Sequence, residues 1–145
     1  GERTPSHDAE TEVVERADAS GLTRADLASA RDSLTGMIEQ VPPMYSAVKV
    51  DGERLYKKAR RGETVDRPPR QVHVEAFDLL DWTPPDLRFR VACSKGTYVR
   101  SLVRDLGDAL EVGAHLTALR RTHIGPYTAE SAWPLSDLET ALSQT

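Results

Sequence analysis

The segment CSKGTYVRSLVRDLG, residues 93–107, places a tyrosine and an arginine at the start of a predicted helix. Apolar residues three and four positions apart from Val99 to Leu110 predict that one face of this helix is buried. Thr97 is expected to cap the helix, which puts Arg100 in its first turn. A positive charge there opposes the helix dipole by about 0.3–1 kcal/mol. We therefore expect Arg100 to hold a negatively charged group, and such a pair would keep a carboxylate ionised.

Two further segments carry residue types that suit RNA. Residues 40–63, QVPPMYSAVKVDGERLYKKARRGE, hold Tyr45 between a proline pair and a predicted strand, and residues 113–127, GAHLTALRRTHIGPY, place Leu119 and two arginines before a turn. Bases stack on aromatic rings, and guanidinium groups bind phosphates. Tyr45 and Tyr98 are equally compatible with half-buried core positions, so the residue types alone leave both interpretations open.

Other chemistries find little support in the sequence. The four histidines are scattered, and there is neither a cysteine pair nor a His-Glu helix motif, which argues against a zinc site. A glycine-rich phosphate loop is also missing, which argues against a nucleotide cofactor. Cys93 falls on the apolar face of a predicted strand, and we expect it to be buried rather than nucleophilic.

Charge is strongly segregated along the chain, although the net charge is only −4. Residues 49–70 hold eight Lys or Arg against four Asp or Glu, and residues 88–127 hold seven against three. Residues 1–40 are acidic, with nine Asp or Glu against four Lys or Arg. The two basic blocks are consistent with one phosphate-binding surface, and also with two separate solvated faces.

Length and composition indicate a globular chain of 145 residues with one domain or part of one. Hydrophobic residues make up 39% of it and charged residues 29%, which excludes a disordered chain. It has a single cysteine and no apolar run of membrane-spanning length. We therefore expect an intracellular, cytoplasmic protein with no membrane association.

The elements that must position these residues alternate between helices and strands. A capping box at Thr23 and Asp26 predicts a helix to about Leu34 that ends at Gly36. The other predicted elements are a strand over 47–50 with a tight turn at 51–52, a basic helix over 53–61, a long strand over 72–80 with a bulge, a hairpin partner over 87–93, a helix over 97–113, a strand at 123–124 and a helix over 137–142. This mixture predicts an α+β fold with a mixed, largely antiparallel sheet flanked by helices.

Three motifs, in order along the chain, are similar to those of one enzyme family. They are VPPMYSAVK (41–49), SKGTYVR with RDLG (94–107) and GAHLxxLRRT (113–122). On these motifs the chain resembles the bacterial TruB family of tRNA pseudouridine synthases. The likeness extends over nearly the whole chain, and it implies that residues 1–145 form a single partial catalytic domain.

The resemblance implies an enzyme that isomerises a uridine in the T loop of tRNA, with the T-arm stem-loop as its partner and with no metal or organic cofactor. The uridine would be flipped out of the loop to reach the site. Arg100 would pair with the catalytic aspartate, and Tyr98 would support the pocket or carry a proton. Substrate-binding roles would fall to Tyr45, which would stack on the base, to Tyr98, to Leu119, which would line the base pocket, and to Lys49 and Arg121.

The family's catalytic aspartate lies in a Gly-Leu-Asp motif that these 145 residues do not contain. We therefore expect the chain alone to be inactive, and expect the aspartate to come from an N-terminal segment of the same enzyme or from a second polypeptide. The small C-terminal RNA-binding module of the family is also expected to be missing. Asp8, Asp51 and Asp105 are weak substitutes for this aspartate. Asp105 should point about 140° away from Arg100 on the helix, Asp51 is a turn residue, and Asp8 lies in the acidic opening segment. The alternative is a non-catalytic RNA-binding or interaction module.

Overall fold

The computed structural model describes residues 1–143. Its strands are β1 (Glu2–Arg3), β2 (Glu15–Arg16), β3 (Gly36–Gln40), β4 (Lys49–Val50), β5 (Glu53–Arg54), β6 (Arg70–Thr83), β7 (Asp86–Cys93), β8 (His123–Ile124) and β9 (Tyr127–Thr128). Its helices are α1 (Arg24–Asp32), α2 (Leu55–Arg60), α3 (Val99–Ala109) and α4 (Leu135–Ser143). Every pairing between these strands is antiparallel. The predicted α+β class with a largely antiparallel sheet and flanking helices is thereby confirmed.

The main sheet has three strands in the order β3–β6–β7. The central strand β6 buries alternate residues, Val72 and Val74, as expected for a strand with one covered face. Its register against β7 shifts twice, between Val74 and Ala76 and between Leu79 and Asp81, so the inward face continues at Phe77. The predicted long strand with a bulge and its hairpin partner are both present.

Helices α1 and α3 pack against this sheet and form the main core with it. The buried residues of this core are Ala30, Val74, Phe77, Leu102 and Leu106. Phe77 meets Phe89 edge to face, with ring centroids 5.2 Å apart. Truncation of one such buried leucine typically costs about 2–5 kcal/mol, so this packing holds the axis of α3 firmly against the sheet.

A second, smaller core lies between α2, the β4–β5 hairpin and the loop before it. Its buried members are Met44, Leu55 and Ala59. Asp51 and Gly52 join β4 to β5 with φ angles of 53° and 80°, the left-handed pair that a two-residue hairpin turn requires. The predicted turn is therefore confirmed. The basic helix predicted over 53–61 is α2, which begins only at Leu55 because Glu53 and Arg54 pair with β4 as β5.

Strand β3 is absent from the elements predicted by the sequence, which place Gly36 at the end of the preceding helix. In the structure α1 ends at Asp32 and Gly36, at φ 89°, begins β3. The strand alternates Ile38 and Gln40 inward with exposed residues between them. A polar residue in an inward position obscures the apolar alternation that identifies a strand.

The predicted limits of α3 need correction. The helix begins at Val99, so Tyr98 and not Thr97 is its N-cap residue, and no side chain caps it. The Thr97 hydroxyl instead lies 3.3 Å from the Ser94 hydroxyl. The helix ends at Ala109, well before Gly113. Arg100 is therefore the second residue of the helix, one position nearer to the N-terminus of the helix than a cap at Thr97 would place it.

Cys93 is exposed, which contradicts the prediction that it is buried. It is the last residue of β7, an edge strand of the sheet, and the last partly buried residue of that strand is Val91, two positions earlier. The strand at His123 is present as β8, and α4 spans the predicted last helix, but none of the nine residues of α4 is buried. None of the helices within residues 1–143 is long and apolar enough to cross a bilayer.

Candidate functional site

The Arg100 side chain joins three segments that are distant in sequence. Its Nη2 donates to the carbonyl oxygen of Tyr45 at 2.8 Å, and its Nη1 lies 3.5 Å from the carbonyl oxygen of Ser6. Both acceptors are neutral, and no carboxylate of residues 1–143 lies within ion-pair distance of the guanidinium. An arginine carries five N–H donors. Most of these donors are therefore left for another group.

The first turn of α3 is held by the end of β3. Gln40, which is buried, accepts from the Tyr98 N–H at 2.7 Å and donates to the Tyr98 carbonyl oxygen at 3.1 Å. The Ser101 hydroxyl donates to the carbonyl oxygen of Val41 at 2.9 Å. Since no side chain caps α3, these bonds fix its start.

Tyr45 belongs to a rigid loop whose two prolines, Pro42 and Pro43, are fully buried. Its side chain is half-buried and packs against the second core around Met44 and Leu55. The backbone of Tyr45 holds Arg100, as described above. The Tyr45 ring therefore packs partly on the scaffold, while the Tyr45 backbone carbonyl group contacts Arg100.

Positive charge is concentrated around His7, next to Ser6. Burial, followed by the charges of Arg104, Arg100 and Arg67, lowers the pKa of His7 to about 4. His7 is therefore neutral at pH 7. The pKa of Arg67 is also lowered, by burial and then by the charge of Arg104.

Among residues 1–143, Asp105 is the carboxylate that forms an ion pair within this group of cations, while Asp66 and Asp108 act on Arg67 and His7 only as the last of the contributions to their pKa values. Asp105 pairs with Arg104 at 2.7 Å, and burial raises the pKa of Asp105 above its ordinary value. The Nε of Arg67 is buried without a hydrogen-bond partner among the described residues. Partly buried cations with few anionic partners attract a negatively charged group. The geometry thus suits a carboxylate or a phosphate beside Arg100.

Of the predicted site residues, Arg100 contacts the backbone of Tyr45, and Tyr98 lies two residues before Arg100 at the start of α3. Lys49 lies opposite Arg54 in the backbone register of the β4–β5 hairpin. Leu119 is 57% exposed and Arg121 is exposed, and no hydrogen bond or ion pair described for residues 1–143 connects either of them to Arg100. The site roles of these residues stay predictions.

The three substitute aspartates do not reach Arg100. Asp105 bonds Arg104, the exposed Asp51 lies 3.9 Å from Lys58, and Asp8 lies in the N-terminal loop, where its carbonyl oxygen accepts from Thr4. Metal-site geometry is likewise not found among residues 1–143, where no three His, Cys, Asp or Glu side chains form a suitable group.

Sequence reasoning missed several residues of this site. They are Ser6, His7, Gln40, Arg67 and Arg104. Gln40 had the clearest signal, because it directly precedes the rigid Val-Pro-Pro segment that leads to Tyr45. Arg104 follows Arg100 by four residues on α3, a spacing that makes the two neighbours on the helix surface. Ser6, His7 and Arg67 come near Arg100 only through tertiary contacts, which no local pattern encodes.

Comparison with known proteins gives two family matches. Residues 1–99 match the family model described as "TruB family pseudouridylate synthase (N terminal domain)". Residues 100–145 match the model described as "tRNA pseudouridylate synthase B C-terminal domain". The boundary falls inside α3, whose Leu102 and Leu106 pack with Val74 from the first part.

Curated relatives cover almost all of this chain. The tRNA pseudouridine synthase B of Corynebacterium glutamicum is 50% identical over 143 residues, which are 96% of this chain and 48% of the relative. The protein of the same name from Thermobifida fusca is 49% identical over 146 residues, covering 95% of this chain and 50% of the relative. The chain thus spans about half the length of the curated relatives it matches.

A solved structure is also similar. A chain in the crystal structure of a Cbf5–Nop10–Gar1 complex matches 83% of this chain with a TM-score of 0.65 and 33% identity. The match covers 32% of that chain. The chain is therefore similar to this solved structure in both sequence and fold.

Proposed function

The chain belongs to the TruB family of pseudouridylate synthases, and on that premise we propose that it forms part of the catalytic domain of a tRNA pseudouridine synthase. The proposed substrate is the T-loop uridine in the T-arm stem-loop of tRNA. In this isomerisation the bond from the ribose C1′ to N1 of uracil breaks, and a bond from C1′ to C5 forms. C5 loses a proton and N1 gains one. Because the composition of the nucleotide is unchanged, the reaction requires no oxidant, reductant or group donor.

The observation that carries this proposal is the half-satisfied guanidinium of Arg100. Two neutral carbonyl groups orient it, and its remaining N–H donors are available to a carboxylate. We propose that this carboxylate is the catalytic aspartate of the family, held ionised and aimed at the ribose by Arg100. The aspartate would come from another segment of the enzyme or from a second polypeptide. Tyr98, the half-buried N-cap residue of α3, would support the flipped base.

Exposed cations around the second core would supply part of the RNA-binding surface. Lys57 and Arg60 of α2 are exposed, and Arg60 lies over the Tyr56 ring at 5.4 Å. Arg61 differs from them, because Glu53 and Glu63 both bond its guanidinium. We therefore assign phosphate contacts to Lys57 rather than to Arg61. Contacts of Lys49, Leu119 and Arg121 with the RNA, and a cytoplasmic location, remain part of the proposal.

The test combines this chain with the remaining half of the Corynebacterium glutamicum relative, fused to it or added separately. We expect release of tritium from C5 of labelled uridine in tRNA, because C5 loses its hydrogen. Arg100→Lys keeps the charge but loses the forked geometry. It should lower turnover at least tenfold, while the tRNA Kd stays within about threefold.

Arg88→Lys is the matched control, because Arg88 is an exposed arginine on β7. It should leave both turnover and tRNA binding unchanged. Binding of tRNA without any tritium release from the combined enzyme would reject the catalytic proposal in favour of an RNA-binding module. Equal losses in Arg88→Lys and Arg100→Lys would remove the special role of Arg100.

A further inference from the structure

Gln40 makes an unusual pair of hydrogen bonds with the backbone of a single residue. Its Oε1 accepts from the N–H of Tyr98 at 2.7 Å, and its Nε2 donates to the carbonyl oxygen of the same residue at 3.1 Å. The side chain is 2% exposed. Burying an amide costs free energy unless its polar groups are paired, and here both ends of the amide are paired.

Tyr98 is the residue at which α3 starts, and its carbonyl oxygen also accepts the first helical hydrogen bond, from Leu102. A helix start is normally fixed by a side chain of the N-cap residue itself. In this chain no such bond exists for α3, and the amide of Gln40 replaces it from another element. The direction in which the peptide of Tyr98 points is therefore determined by Gln40.

This direction matters for Arg100, which follows two residues later. The guanidinium must reach the carbonyl groups of both Tyr45 and Ser6, which lie on two different loops. Leu102 and the rest of the core fix the axis of α3, but they leave the conformation of the residues before the helix open. A turn in which the Thr97 N–H donates to the Ser94 carbonyl oxygen also holds the residues before the helix, but the bonds of Gln40 are the ones that reach the peptide groups of Tyr98 itself.

We propose that Gln40 is a positioning residue, which holds Tyr98 and Arg100 in the geometry that the reaction needs. The inference rests on the proposed pseudouridine synthase function. Gln40 itself does not touch the substrate in this proposal. Its effect should therefore fall on the chemical step and not on tRNA affinity, since displacement of a reacting group by about 1 Å can cost on the order of 100-fold in rate.

The experiment measures single-turnover rate constants with the combined enzyme in saturating excess over labelled tRNA. Under this condition the rate constant reports only folded enzyme, so a loss of stability alone does not change it. Gln40→Met keeps the length of the side chain and removes both hydrogen bonds. We expect its rate constant to fall 10- to 100-fold, with a tRNA Kd within about twofold of the unsubstituted enzyme. Gln71→Met, an exposed glutamine on the neighbouring strand β6, is the matched control and should change neither.

Gln40→Glu gives a second readout that does not depend on Gln40→Met folding. The ionised carboxyl group can accept from the Tyr98 N–H, but it repels the Tyr98 carbonyl oxygen. When protonated it can donate to that oxygen, which restores both bonds, and burial favours protonation. We expect this variant to be slow at pH 8 and to recover at pH 6, relative to the unsubstituted enzyme at each pH.

The outcomes separate this inference from the proposed function. No tritium release from the unsubstituted enzyme would reject the function, and with it any catalytic use of Gln40. An active unsubstituted enzyme whose rate constant is matched within twofold by Gln40→Met, or a Gln40→Glu variant with no recovery at low pH, would reject the role of Gln40 alone. A loss confined to the melting temperature would show that Gln40 is only structural.

Discussion

Lowering the pH should destabilise the folded chain through His7. Burial and three neighbouring arginines lower the pKa of His7 from 6.5 to about 4, and Asp108 opposes this only weakly as the last of the contributions. Between pH 6.5 and 4 the unfolded chain therefore binds more protons at this residue than the folded chain does. Stability from neutral His7 is complete above about pH 6.5 and is lost as the pH falls towards 4.

The magnitude follows from the difference between the two pKa values. A change from 6.5 to about 4 corresponds to at most roughly 3 kcal/mol, since one pKa unit equals about 1.4 kcal/mol. His7 is only partly buried, and solvent screens its neighbours, so we take about half of that figure. Between pH 7.5 and 4.5 this gives a loss of about 1 kcal/mol from His7.

The assay is urea unfolding at a series of pH values for the unsubstituted chain and for His7→Asn. Asparagine suits the variant because His7 has φ 60°, a left-handed conformation that asparagine adopts more readily than most residues. The carboxylates titrate in both proteins, so the difference between the two curves isolates His7. His123→Asn, which removes an exposed histidine on β8, is the control.

We expect the unfolding free energy of the unsubstituted chain to fall by about 1 kcal/mol more than that of His7→Asn over this range. Parallel curves for the two proteins would refute the reasoning, because they would mean that folding does not change the protonation of His7. A steeper fall in His7→Asn would show that the surrounding cations do not disfavour a charged His7.

Two further predictions concern the RNA. In the combined enzyme a Tyr45 ring that stacks on the base makes Tyr45→Ala lower kcat/KM by an amount equivalent to about 1–3 kcal/mol, whereas Tyr45→Phe keeps the ring and should stay close to the unsubstituted enzyme. Equal activity of both variants in the tritium assay would make Tyr45 a scaffold residue only. The affinity for tRNA should fall steeply as the salt concentration rises, and Lys57→Glu should weaken binding and reduce the slope of affinity against salt. Filter binding measures both quantities, with Arg61→Glu as the comparison. A Kd that does not change with salt would contradict the assignment of a basic RNA-binding surface.

The sequence predicted best those elements whose signals are local. The capping box at Thr23 and Asp26 forms as expected, and so do the Asp51–Gly52 turn and the hairpin of β6 and β7. In each case neighbouring residues satisfy one another, so the pattern is complete within a short window. Strand β3 failed this condition, because its inward Gln40 is explained only by a partner 58 residues away.

The candidate site was predictable only in part for the same reason. Arg100 was recognisable from its unfavourable place near the start of α3, which predicted a negatively charged partner, whereas its acceptors within residues 1–143 are neutral carbonyl groups. That those acceptors include the carbonyl groups of Tyr45 and Ser6 could not follow, because every residue has a carbonyl group and the sequence does not distinguish them. The cations around His7 come from two segments, Arg67 before β6 and the pair Arg100 and Arg104 on α3, and only the folded chain brings them to His7.

The contacts of Arg100 also have a consequence for the order of folding. The β6–β7 hairpin closes a short loop, whereas the bond from Arg100 to Tyr45 closes 55 residues and that to Ser6 closes 94. Loop closure costs conformational entropy that must be spent before such contacts form, although the longer loop costs only about 0.5 kcal/mol more than the shorter one. We therefore expect the hairpin to form early and the surroundings of Arg100 to form last. A partly folded chain would hold the sheet but not the site, and competence for chemistry would arrive together with the completed fold.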